Sequence, residues 1–268
     1  MNQPRRIIYA FSHAGASASS YQPWINQLAS DSLIRFIPLE RAGRGKLIRE
    51  KTFASLSELS KSLADYIYQD FQHQQPKGVK DWITFGHSFG GVLSFAVTNI
   101  LQKLYKLTPT YSIISGSLAP SIQQPDDMHL WSDKKILERA KADSATPDKL
   151  LANPSFAKVI INQLRADYTI REQFLNLKSC KVNQPFVLFN GTRDPHVSMD
   201  MIKAWQNHTT SQTRLIEIEG GHFSIYQRWD LVYQACLKNL IEPPLSVRSS
   251  MFDSLSAQSA TQLKTHTV

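Results

Sequence analysis

The chain has 268 residues, 42% of them hydrophobic, which is enough to enclose one substantial core as a single α/β domain. Its 30 Lys and Arg against 22 Asp and Glu leave a formal charge of +8, which suits an anionic partner; no basic domain or recognition motif accompanies that charge, so nucleic acid is not expected. Met1–Arg6 leads only to a short apolar run broken by His13, and Cys180 and Cys236 lack metal-like spacing. A cytoplasmic chain with reduced thiols, no signal peptide and no membrane span is therefore expected.

In chain order, Ile7-Ile8-Tyr9-Ala10-Phe11 reads as a buried strand, and Ser12-His13-Ala14-Gly15-Ala16-Ser17 as the small-residue loop after it. A second strand follows near 33–38. Arg41, Arg44, Lys46, Arg49 and Lys51 then form the densest basic cluster, either a solvated loop or a docking face for an acidic partner. Leu56, Leu59, Leu63, Ile67 and Phe71 make one helical stripe. Trp82-Ile83-Thr84-Phe85 is a third strand, Gly86-His87-Ser88-Phe89-Gly90 a turn, and Val92, Leu93, Phe95, Ala96, Ile100 and Leu101 recur at helical spacing.

A fourth strand near 110–115 is separated from a fifth near 185–190 by about 70 residues, several times what a parallel crossover needs. Helical patterns around 132–143, 147–152 and 155–176, punctuated by Thr146-Pro147 and Asn153-Pro154, predict an inserted helical lid over about 120–180. Its Phe156, Ile160, Ile161, Leu164 and Phe174 either line an apolar chamber or form the lid's own core. A last strand at 214–218 leads to the loop Glu219-Gly220-Gly221-His222-Phe223, and Trp229, Val232, Tyr233, Cys236, Leu237 and Leu240 suggest a closing helix. Ser-rich, aperiodic residues 243–268 read as a flexible tail after a domain spanning 1–242. Strands alternating with helices predict an α/β fold with a mostly parallel central sheet and helices on both faces.

The turn at 86–90 fits G-x-S-x-G, and its position between a strand and a helix is what a nucleophile elbow requires: glycines let the chain turn sharply and hold Ser88 exposed. An activated serine needs a base and the base an orienting acid, in the chain order Ser, Asp or Glu, His. Asp194, just after the fifth strand, and His222, on a glycine-rich loop after the sixth, supply that order. Asp200 and Asp230 fall in helical stretches, His208 in a polar segment and His87 inside the elbow, so they compete poorly. For the tetrahedral oxyanion the expected donors are the N–H of Phe89 and that of Ala14. With no P-loop, dinucleotide fingerprint or metal-like histidine cluster, no cofactor is expected.

Taken together, Ser12-His13-Ala14-Gly15, Tyr21-Gln22-Pro23-Trp24, Gly43-Arg44-Gly45, the elbow, Ser115-Gly116-Ser117-Leu118-Ala119-Pro120, Leu164-Arg165-Ala166-Asp167 and Gly220-Gly221-His222-Phe223 resemble the type II thioesterases of nonribosomal peptide and polyketide synthases, within the α/β-hydrolase superfamily. The resemblance covers most of residues 5–242. It implies hydrolysis of acyl groups from the phosphopantetheine thiol of carrier-protein domains, with Ser88, Asp194 and His222 as the triad and Ala14 and Phe89 as oxyanion donors. The phosphopantetheine belongs to the partner; no pattern in the sequence fixes the oligomeric state, although an isolated enzyme of this size could work as a monomer.

Ser12 stands where the family commonly has proline, Arg41-Ala42 replaces its proline before Gly43-Arg44-Gly45, and Phe89 stands where methionine is frequent. The last change borders the oxyanion site and bears on acyl choice. The free-standing architecture and the resemblance favour editing of misprimed carriers over product release. A general carboxylesterase or acyltransferase with the same triad, and a binding protein of the same fold without turnover, are the alternatives.

Overall fold

The computed structural model describes residues 6–31, 33–77, 79, 81–143 and 147–237. Leu240 of the closing helix and the proposed tail at 243–268 lie outside the described residues.

Six strands, β1 (Arg6–Phe11), β2 (Ile34–Pro38), β3 (Asp81–His87), β4 (Ser112–Ser115), β5 (Phe186–Gly191) and β6 (Thr213–Ile218), form one sheet in the order β2-β1-β3-β4-β5-β6, every pairing parallel. Parallel sheets need cover on both faces, and the side chains divide accordingly. Ile7, Tyr9 and Phe11 of β1, with Phe186 and Leu188 of β5, face one core; Ile8, Ala10, Val187 and Phe189 face the other.

The first core is closed by α2 (Leu56–Gln74) and α3 (Phe89–Tyr105), whose Leu59, Leu63, Ile67, Phe95 and Leu101 are buried there. The second is closed by Trp24 of α1 (Gln22–Leu28) and by Val232 and Cys236 of α8 (Trp229–Leu237).

Between β4 and β5 come α4 (Asp133–Ala142), α5 (Asp148–Leu151) and α6 (Pro154–Glu172), and α7 (Met199–Lys203) follows β5. The Asn153-Pro154 break is the start of α6: the Asn153 side chain accepts from the Ser155 and Phe156 amides, and proline at the first position sacrifices no helical hydrogen bond. These helices share a third core of Met128, Ile136, Ala140, Leu151, Ile161, Leu164 and Tyr168, against which Ala14 packs.

β2 lies on one side of β1 and β3 on the other, so the chain reverses its direction of winding between β1 and β3. Loops leaving adjacent strands on opposite sides of such a point open a crevice at their carboxyl ends. The loop after β1 and the turn after β3 meet there.

Candidate active site

Ser88 is the residue before α3, with φ 54° and ψ −120°, a conformation that costs about 1–3 kcal/mol in a non-glycine residue and is held by its surroundings. The Ser88 N–H donates to Ser115 O of β4 at 2.8 Å, and Ser88 O accepts from the Gly91 N–H at 2.9 Å. Two residues on, Gly90 packs so tightly on β1 that a Cβ would fall 2.1 Å from Phe11 O. The elbow therefore tolerates no side chain at that position.

Asp194 and His222 come from the loops after β5 and β6, adjacent parallel strands, and their side chains meet: His222 Nδ1 lies 2.7 Å from Asp194 Oδ2. The other carboxylate oxygen accepts from the amides of His196 at 2.8 Å and Val197 at 3.0 Å. Burial opposes ionisation of Asp194, but the His222 bond and charge and these two amides outweigh it and hold the carboxyl below its usual range. Both side chains are nearly inaccessible, 0% for Asp194 and 9% for His222.

Gly116, at φ 51° after β4, makes room for them, since a Cβ there would lie 3.3 Å from both Asp194 Oδ2 and His222 Cε1. Ser88, Phe89, Ala14 and His222 line one cavity of about 870 Å³. The expected nucleophile, base and both oxyanion donors thus share its wall, and Asp194 stands behind the base.

The competing groups are elsewhere. Asp200 pairs with Lys203 at 3.0 Å on the surface and Asp230 with Arg228 at 2.9 Å. His208, read as lying in a polar segment, is fully buried and spans Cys180 O and the Ser121 amide at 2.9 and 3.0 Å. His87 is also fully buried, its ring centred 4.8 Å from that of His222, with Nδ1 3.2 Å from Ser115 Oγ. Burial, then the nearby His222 and His13, push His87 well below its ordinary value, and burial with Arg41 and His222 pushes His13 down to about 3. Both shifts favour the neutral form of these two rings.

Much of the remaining cavity wall comes from the segment between β4 and β5. Phe156, Val159, Ile160, Leu164 and Phe174 line it, Leu164 joining the third core as well, whereas Ile161 is buried in that core and is not on this wall. The two readings of the lid's apolar residues are thus divided by helical phase. Phe156 and Val159 remain 36% and 40% exposed, with Ile48 at 51% on the same cavity, so its mouth has an apolar rim.

His196 was not singled out by spacing. Its ring lies 5.0 Å from that of His222, and Nε2 is 3.0 Å from Asp143 Oδ1, just past α4, so a lid helix contacts the acid-bearing loop.

The basic cluster requires a correction. Arg41 and Arg44 are 4% and 2% exposed and clasp Asp167 of α6, so they are unavailable for docking; Lys46, Arg49 and Lys51 are exposed. Runs of charge ordinarily read as solvated, and a partner more than a hundred residues away leaves no local mark.

A family model described as Thioesterase domain matches residues 6–240. Linear gramicidin dehydrogenase LgrE of Brevibacillus parabrevis is 25% identical over 82% of this chain and 82% of its own, and Thioesterase PikA5 of Streptomyces venezuelae 26% over 81% and 74%. The thioesterase RedJ from the prodiginine biosynthetic pathway of Streptomyces coelicolor superposes with a TM-score of 0.76 at 23% identity, over 87% of this chain and 90% of its own. The α/β-hydrolase fold and the resemblance to type II thioesterases are borne out. Matched over most of its length, the chain belongs to the thioesterase-domain family, serine hydrolases that act on thioesters.

Proposed function

We propose that the protein is a type II thioesterase that hydrolyses acyl thioesters from the phosphopantetheine arm of carrier proteins, removing aberrant acyl groups during nonribosomal peptide or polyketide synthesis in the cytoplasm. The observation that carries the chemistry is the Asp194–His222 pair at 2.7 Å, opening with strained Ser88 onto one apolar-walled cavity.

With Nδ1 committed to Asp194, His222 offers Nε2 to the Ser88 hydroxyl, and Ser88 Oγ attacks the thioester carbonyl as the proton passes to the imidazole. Asp194, kept ionised, holds the ring's orientation and balances the imidazolium. The Ala14 and Phe89 amides receive the oxyanion. Collapse expels a thiol of pKa near ~8.5, a better leaving group than an alkoxide, and His222 returns its proton. Water then attacks the acyl-serine by the same route, with no cofactor of the enzyme's own. The apolar wall from α6 accepts the acyl chain while the arm enters over the rim.

The test is release of short acyl groups from a phosphopantetheinylated carrier, followed by intact mass, with free p-nitrophenyl esters in parallel. Carrier deacylation above free-ester turnover, reduced roughly 10⁴–10⁶-fold by Ser88→Ala, is the expected result. Turnover confined to free esters would replace this reading with a general esterase; none on either substrate would favour a binding protein.

A further inference from the structure

The loop that carries Ala14 is held by charged groups from two other parts of the chain. Asp167, buried in α6, accepts from the Gly15 amide at 2.7 Å, from Arg41 at 3.0 Å and from both terminal nitrogens of Arg44 at 2.8 and 2.9 Å. Arg41 donates further to Ser12 O at 2.9 Å, His13 O at 3.0 Å and Ala16 O at 3.1 Å, and its guanidinium lies over the Phe89 ring, 4.8 Å from the centroid. Arg44 reaches only Ala16 O, at 3.1 Å, among the loop carbonyls.

The His13 carbonyl and the Ala14 N–H belong to one peptide plane, and in a trans peptide they point in opposite directions. A cation pulling on His13 O, which also accepts from the Ala16 N–H at 3.2 Å, therefore helps to fix the direction of the Ala14 N–H and strengthens it as a donor through the polarised amide. The next plane is fixed from the other end, because the Gly15 N–H is committed to Asp167. Ala14 thus sits between two pinned peptide planes. Phe89, whose N–H is the partner donor, carries Arg41 on its ring.

We propose that Arg41 and Asp167 are positioning residues for the oxyanion hole: Arg41 aims and polarises the Ala14 N–H through the His13 carbonyl, and Asp167 ties that arrangement to lid helix α6. The assignment rests on the reading of Ala14 and Phe89 as the oxyanion donors. Because one of the network's three charged members is on the lid, the donor is fully aimed only while α6 is seated. Acyl-chain binding under α6 and oxyanion stabilisation are then coupled.

The experiment compares wild type, Arg41→Lys and Arg44→Lys, with Asp167→Asn as a further variant, on a soluble acyl thioester. The same proteins are titrated with an alkyl trifluoromethyl ketone, to which Ser88 adds to form a hemiketal oxyanion, and with the matching secondary alcohol, which forms none. Arg41→Lys is expected to lower kcat about 10–100-fold with KM within a few-fold, since loss of an oxyanion donor outright costs about 10²–10³-fold. Ketone affinity should fall by a similar factor while alcohol affinity holds. Arg44→Lys, which disturbs the same salt bridge without touching His13 O, should lose several-fold less kcat at a comparable shift in melting temperature.

Equal kcat losses in the two arginine variants, or ketone affinity unmoved in Arg41→Lys, would overturn the proposal while leaving the oxyanion reading intact. A wild type that binds ketone no better than alcohol would instead remove the oxyanion reading itself, and this proposal with it. If Arg41→Lys does not fold, Asp167→Asn decides by the same ketone-to-alcohol ratio.

Discussion

Asp194 has both carboxylate oxygens committed, one to His222 and one to two backbone amides, so its position does not depend on its charge alone. Asp194→Asn should keep that geometry yet leave His222 with the wrong ring nitrogen protonated, lowering kcat by about 10³–10⁴ with the melting temperature little changed; steady-state kinetics beside thermal melts check this. His87 behaves differently, because its burial acts on stability. Its native value lies well below ordinary, whereas the unfolded ring titrates near ~6.5, so below that pH the unfolded chain takes up a proton that the native chain refuses. Stability should be insensitive to this group above pH ~6.5 and fall by up to about 1.4 kcal/mol per pH unit beneath it. His87→Gln should flatten the acid limb below pH ~6.5 in urea unfolding, and parallel limbs for the two proteins would contradict it.

At the level of elements, α6 presents neighbouring residues to different surroundings: Ile161 is in the lid core and Ile160 on the cavity wall. Ile161→Ala should lower stability by about 2–5 kcal/mol with acyl preference unchanged, whereas Ile160→Ala should shift preference towards longer or bulkier chains with a smaller loss of stability. Urea melts and an acyl-length series separate the two. The strands were legible because a parallel strand covered on both faces reads as a compact apolar run, and β5 and β6 carry Asp194 and His222 into place from their ends. The phase of α6 was not legible, since apolar residues at helical spacing record that a face is covered but not whether protein or cavity covers it. The clasp of Arg41 and Arg44 on Asp167 was not legible for a related reason. Their pairing is set by tertiary approach across 126 and 123 residues, and burial of a paired charge has no periodic signature.

For the whole molecule, Lys46, Arg49 and Lys51 are what the basic cluster leaves exposed once its buried arginines are set aside. They flank in sequence Ile48, which lines the cavity, and under the proposed function they are the groups an acidic carrier would meet. Reversing all three to Glu should lower kcat/KM on an acyl-carrier about 10-fold at low salt, leave a small soluble thioester within 2-fold, and lose most of the difference near ~1 M salt, where screening acts over about 3 Å. Charge reversal without effect on carrier turnover at low salt would place docking elsewhere. Among the described residues no helix is long and apolar enough to cross a membrane. The division of labour along α6 also bears on how such a chain diversifies. Phe156, Val159 and Ile160 contribute to the cavity wall without joining the charged network, so substrate range can drift there under selection without rebuilding the chemistry. At Asp167 the same helix also reaches the loop beneath it, while Leu164 and Tyr168 on either side stay on the wall, and variation spreading there meets a boundary at which new specificity and lost turnover arrive together.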